Sequence, residues 1–101
     1  MVDERFGEVE DKIAMALKAV QGDGNASPVL TAVVREFQKK AGKARQQLEG
    51  DAAAQRDAVV ELEQAGDSAK AAAEADEGVG DAARQAVLDA HLAICILKSK
   101  W

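Results

Sequence analysis

Tyrosine is absent from this chain, proline, cysteine and histidine each occur once, and Phe6, Phe37 and Trp101 are the only aromatics. A single cysteine excludes an internal disulfide framework. The longest wholly apolar run, Leu92 to Leu97, falls far short of the roughly 20 residues a membrane span needs. Positive charge is also in deficit. The net charge of -5 disfavours broad affinity for nucleic acid or anionic lipid. The opening residues Met1-Val2-Asp3-Glu4-Arg5 are acidic and lack the basic and apolar regions of a signal peptide. With one thiol, that pattern leads us to expect a cytoplasmic protein.

What the chain does have is alanine and helical periodicity. At 101 residues it has the size of one domain. Almost half of its hydrophobic residues are alanine, so a compact monomer has little large apolar surface to bury against the backbone entropy of about 1–2 kcal/mol per residue. Self-association or a partner is the natural remedy.

One register runs from Leu30 to Ala73 without a slip. Leu30, Val34, Phe37, Ala41, Ala44, Leu48, Ala52, Gln55, Val59, Leu62, Gly66, Ala69 and Ala73 alternate steps of four and three. This is the a/d seam of packed or supercoiled helices, and only Gln55 is plainly polar. Before it, Val2, Phe6, Val9, Ile13, Ala16 and Val20 mark a helix over 3–21, with Met15 and Leu17 widening its stripe. Asp3 and Glu4 complement its dipole. Gly22-Asp23-Gly24-Asn25-Ala26-Ser27 is a loop, and Ser27-Pro28 starts a second helix with a cap and an N1 proline.

Glu49-Gly50-Asp51 is the ambiguous junction. If Gly50 takes the left-handed conformation and Asp51 caps a new helix, helices span 28–48 and 52–76. If the helix continues, one rod covers 28–76 and the chain has three helices. The turn is favoured, because a lone rod would bare Val34, Phe37 and Leu62. Glu63 to Gly78 holds nothing larger than alanine on its apolar list, which suits a helix at the rim, with Gly66-Asp67-Ser68 a possible break. Gly78-Val79-Gly80-Asp81 turns the chain, with Asp81 capping a last helix over 82–99. The expected fold is an all-α, antiparallel up-down bundle of four helices.

Charge agrees with that order. Residues 27–50 carry five positive and two negative groups, while 1–26 carry three against six and 51–80 carry two against eight. A basic second helix flanked by acidic neighbours favours the up-down pairing, though each exposed pair contributes only about 0–1 kcal/mol.

The last helix is apolar on two sides. Ala83, Ala86, Val87, Ala90, Ala93, Ile94, Leu97 and Trp101 form one broad face; Leu88, Leu92, Cys95 and Ile96 form a second stripe. A helix of this kind packs within its own chain on one side and against another chain on the other.

Few residues carry chemistry. His91 and Cys95, four apart, share a helix face and could supply two metal ligands, doubled in a symmetric dimer; no other Cys or His completes a site within one chain. A buried thiol acting as a small apolar group is the commoner arrangement. A catalytic thiolate paired with His91 lacks an orienting carboxylate, since Asp89 points elsewhere. Arg35, Lys39, Lys40, Lys43 and Arg45 have no interleaved aromatic or glycine-rich loop and read as a solvated face. Glu8, Asp11, Glu61, Glu63, Glu74, Asp76 and Glu77 form neither a Glu-x-x-His arrangement nor a calcium loop; Glu74 to Glu77 reads as a solvated helix end.

These features lead to a non-enzymatic helical interaction module with no metal or cofactor. It binds itself, as a homo-oligomer and specifically a dimer, or another helical protein as an adaptor or chaperone-like subunit. Its anchors are Leu88, Leu92, Cys95, Ile96 and Trp101 on the C-terminal helix, and neither nucleic acid nor membrane is a partner. An alternative is similar in architecture to histidine-phosphotransfer bundles, which would make His91 the phosphoacceptor. Those domains follow the histidine with a lysine three residues on and a glycine beside it; here the positions hold Ile94 and Cys95.

Overall fold

Ser27 and Asp51 decide where two of the helices begin. In a computed structural model that describes residues 2–100, with side chains over 4–100, each takes an extended backbone and accepts an N–H three residues on. Ser27 Oγ accepts from Leu30 N at 3.1 Å and Asp51 Oδ1 from Ala54 N at 2.8 Å, which satisfies donors the first turn leaves free. Four helices result: α1 (Val2–Gly22), α2 (Pro28–Gln47), α3 (Ala52–Ala75) and α4 (Asp81–Ser99). They account for 85% of the described chain, which holds no strand. None is long and apolar enough to cross a membrane.

Each helix packs on its sequence neighbours and α4 closes back on α1, giving an elongated antiparallel bundle of 42 × 20 × 18 Å. The core is one stripe from each helix: Phe6, Val9, Ile13 and Val20; Leu30, Val34 and Phe37; Val59 and Leu62; Val87, Ile94 and Leu97. Among the described residues no polar or charged side chain is buried. Across the α1–α2 seam Arg45 pairs with Glu10 and stacks over the Phe6 ring at 4.7 Å. Lys43 meets Glu61 of α3 at 3.6 Å. The basic second helix is therefore paired on both sides.

The 28–76 rod does not form. Leu48 N–H closes on Ala44 and Gly50 N–H on Gln47, and α3 restarts at Ala52. Gly50 is not left-handed, since no described residue has positive φ. A Cβ there would lie 3.1 Å from Ala54 Cβ and 3.2 Å from Gln47 O, so glycine eases the turn by its small size rather than by handedness. Gln55 explains its place in the seam: its Nε2 donates to Leu48 O at 2.8 Å and Gly50 O at 3.2 Å, carbonyls left unpaired at the end of α2.

Other local expectations are corrected. Gly66-Asp67-Ser68 does not break α3; Gly66 is buried where a Cβ would meet Ile94 Cγ2 and Phe37 Cζ, each at 3.1 Å. Ala69 and Ala73 are buried below it, so the alanine stretch is core rather than rim. The cap of α4 is Gly80, and Asp81 is the first helical residue. Of the two residues expected to widen the α1 stripe, Leu17 is partly buried against the core, whereas Met15 faces solvent. Asp76 is no solvated helix end: it accepts N–H groups from Ser27, Gly78 and Val79.

Candidate functional site

α4 lies between α1 and α3, and the members of its second apolar stripe are unequally exposed. Leu92 and Ile96 turn outward, 57% and 46% exposed, and line an open groove of ≈680 Å³ between α1 and α4. Val9, Ala93 and Leu97 also line it, with Glu8, Lys12, Asp89 and Lys100 at its edge. Further along the same pair of helices Met15 borders a second depression with Ala19, Ala82 and Ala83. Met15, Leu92 and Ile96 are three of the four large apolar side chains exposed among the described residues; the fourth, Val29, lies on α2. Leu88 and Cys95 are half-buried, and Trp101 lies outside the described residues. Of the expected anchors, Leu92 and Ile96 line the groove.

Toward α3, residues seven apart on α4 each find a partner. The Arg84 guanidinium donates to the carbonyls of Ala73, Asp76 and Val79 at the end of α3. Lys98 meets Glu63 at 2.7 Å. Between them His91 Nε2 lies 2.7 Å from Asp67 Oδ1, and since a carboxylate only accepts, this nitrogen carries the proton. Cys95 Sγ lies 3.5 Å from the same Nε2 and 4.0 Å from Nδ1. Asp67, His91 and Cys95 therefore bring three donor atoms to within 4.8 Å of one another. Burial pushes the Cys95 thiol above its ordinary value; the charges of Glu63 and Asp67 push it the same way, against Lys70 and Lys98.

The carboxylate missing from the His91–Cys95 pair thus comes from another helix. Asp67 was not identifiable from α4's own periodicity, although the two helices' matching charge rows, Glu63 and Asp67 against His91 and Lys98, carry the signal. The arrangement does not make a nucleophilic triad. Such a relay needs the carboxylate on one ring nitrogen and the thiol on the other, whereas here Nε2 is nearest to both.

No family model, curated protein or solved structure matches this chain.

Proposed function

We propose that this protein acts as a self-associating helical module whose contact surface is the α1–α4 face. The observation that carries the reading is that exposed Leu92 and Ile96 line an open groove on that face, with exposed Met15 at a second depression further along it. Exposed apolar clusters rimmed by charge mark association surfaces. The charges favour a second copy as occupant. If two α4 helices cross antiparallel about an axis midway between Leu92 and Ile96, Leu92 of each meets Ile96 of the other. The same register brings Asp89 within one residue of level with the second copy's Lys100, joining opposite charges at both ends of the contact. On the α1 wall Glu4, Arg5, Glu8 and Lys12 alternate in sign, so no strong like-charge field opposes approach.

The phosphotransfer alternative has a physical obstacle. Asp67 sets negative charge 2.7 Å from His91 Nε2, which opposes the approach of a phosphoryl group to that nitrogen.

Sedimentation equilibrium tests the dimer. Wild type should show a concentration-dependent shift from the 10.6 kDa monomer toward twice that mass, abolished by Leu92→Glu or Ile96→Glu with helicity intact. Asp89→Lys should weaken the dimer, and adding Lys100→Asp should restore it. A wild-type monomer at high micromolar concentration would overturn the reading.

A further inference from the structure

We infer that Asp67, His91 and Cys95 form a binding site for a zinc-class divalent cation, with the fourth coordination position left to water. The donors come from two helices, which the bundle core holds in register: Asp67 lies one residue from core Gly66 on α3, and His91 and Cys95 flank core Ile94 on α4. Their chemistry, a carboxylate oxygen, an imidazole nitrogen and a thiolate sulfur, is the mixed set that zinc accepts.

The spacing agrees. Metal–ligand bonds of about 2.0–2.3 Å at tetrahedral angles place nitrogen about 3.3 Å from oxygen and about 3.6 Å from sulfur. The observed Nε2–Sγ separation is 3.5 Å. The Nε2–Oδ1 separation, 2.7 Å, is that of a hydrogen bond and must widen by about 0.6 Å to meet the tetrahedral edge. The Asp67 side chain is 61% exposed and has room for that movement. Entry of the cation releases the Cys95 thiol proton to solvent and displaces the Nε2 proton, which the ring regains from solvent on Nδ1, so that Nε2 can ligate. Glu63, one turn before Asp67, is held by Lys98 at 2.7 Å, which leaves the outer position open to water. A cation also replaces the proton between Asp67 and His91 as the link joining α3 to α4.

Cobalt(II) is the probe, since a thiolate ligand gives a charge-transfer band in the near ultraviolet. Titration of the full chain under reducing conditions should produce that band, saturating at one Co²⁺ per chain and bleached by Zn²⁺. Cys95→Ser should abolish the band. His91→Ala and Asp67→Asn should each raise the dissociation constant by about tenfold or more, at least the loss seen when only a ligand's supporting group is removed. Circular dichroism confirms that each variant is folded, and Zn²⁺ should raise the melting temperature of wild type but not of Cys95→Ser. Leu92→Glu, which removes the dimer contact, should bind Co²⁺ as wild type does, separating the two proposals. Absence of the band would overturn the site. So would a band indifferent to His91 and Asp67, or one metal per two chains lost in Leu92→Glu.

Discussion

Asp23 reaches across the end of the bundle to accept the backbone N–H of Gly80 at 2.7 Å, tying the α1–α2 loop to the α3–α4 loop. Asp76 returns the contact, accepting the N–H of Ser27 at 2.8 Å. The two hairpin loops are thus clasped by reciprocal carboxylate–backbone bonds at one end, where α1 and α2 would otherwise be joined to α3 and α4 by side-chain packing alone.

This clasp makes stability depend on acid. Hydrogen bonds from Asn25 and Gly80 hold the Asp23 carboxyl below its ordinary range, and that of Ser27, with help from Gly78 and Val79, does the same for Asp76. A lowered native pKa gives stabilisation that is fully present above the unfolded value, about 3.9, and is lost as pH falls through the native one. Asp23→Asn and Asp76→Asn should therefore lower the melting temperature at pH 7 and flatten its decline below pH 4. Thermal unfolding from pH 7 to pH 2 checks this; an unchanged acid slope in the double variant would contradict it.

Gly66 and Gly42 both lie inside helices, yet alanine should act oppositely at the two. At Gly42 a Cβ meets nothing within 4 Å, so Gly42→Ala gains helix propensity, about 0.5–1 kcal/mol. At Gly66 the same gain is opposed by 3.1 Å contacts with Ile94 and Phe37, both fully buried, which must shift within the core by a few tenths of an ångström. Overpacking of this kind costs about 1–3 kcal/mol, so Gly66→Ala should be net destabilising by about 1 kcal/mol. Urea denaturation of the two variants beside wild type measures the difference in sign.

The Leu30–Ala73 seam shows how far periodicity reaches. Its members from Leu30 to Ala44 and from Val59 to Ala73 are buried, while Leu48, Ala52 and Gln55, where the chain reverses, are not. Periodicity names the inward face of each helix, and Ser27, Pro28 and Asp51 name where helices start, because both effects act within a turn or two. The unequal exposure of α4's second stripe was hidden, since it depends on where α4 sits between α1 and α3. A small rotation decides that Leu92 and Ile96 face water while Leu88 and Cys95 are half-buried. Asp67 was hidden for a related reason: its level beside His91 comes from the stagger of two helices, set by core contacts such as that of Gly66 with Ile94.

Gln55 should be worth more than an ordinary half-buried polar residue. Its amide donates to two carbonyls at the end of α2, and Gln55→Leu leaves both without that donor while keeping the side chain's bulk. A net loss of about 0.5–1.5 kcal/mol is expected. Hydrogen exchange should locate it, with amide protection falling over the last turn of α2 and the first of α3. Uniform loss across the bundle would mean that Gln55 acts through packing instead.

Arg84 offers the sharpest separation of charge from geometry. Its side chain is 29% exposed, and its planar head reaches three carbonyls of the α3 C-terminus and the adjoining loop while also pairing with Asp81 at 3.1 Å. The Ala73 and Asp76 carbonyls lie at the negative end of the α3 dipole, so a cation is favoured there on electrostatic grounds alone. Lysine keeps the charge but cannot present a fork of donors to acceptors spread over Ala73, Asp76 and Val79. Arg84→Met should cost about 1–2 kcal/mol, toward the lower part of the range for charge-assisted hydrogen bonds because the group is partly exposed to water. If geometry governs, Arg84→Lys should recover less than half of that loss, and added salt should change the wild-type value little. Full recovery by lysine, with a stability that falls steeply in salt, would show instead that the dipole and not the fork holds the end of α3.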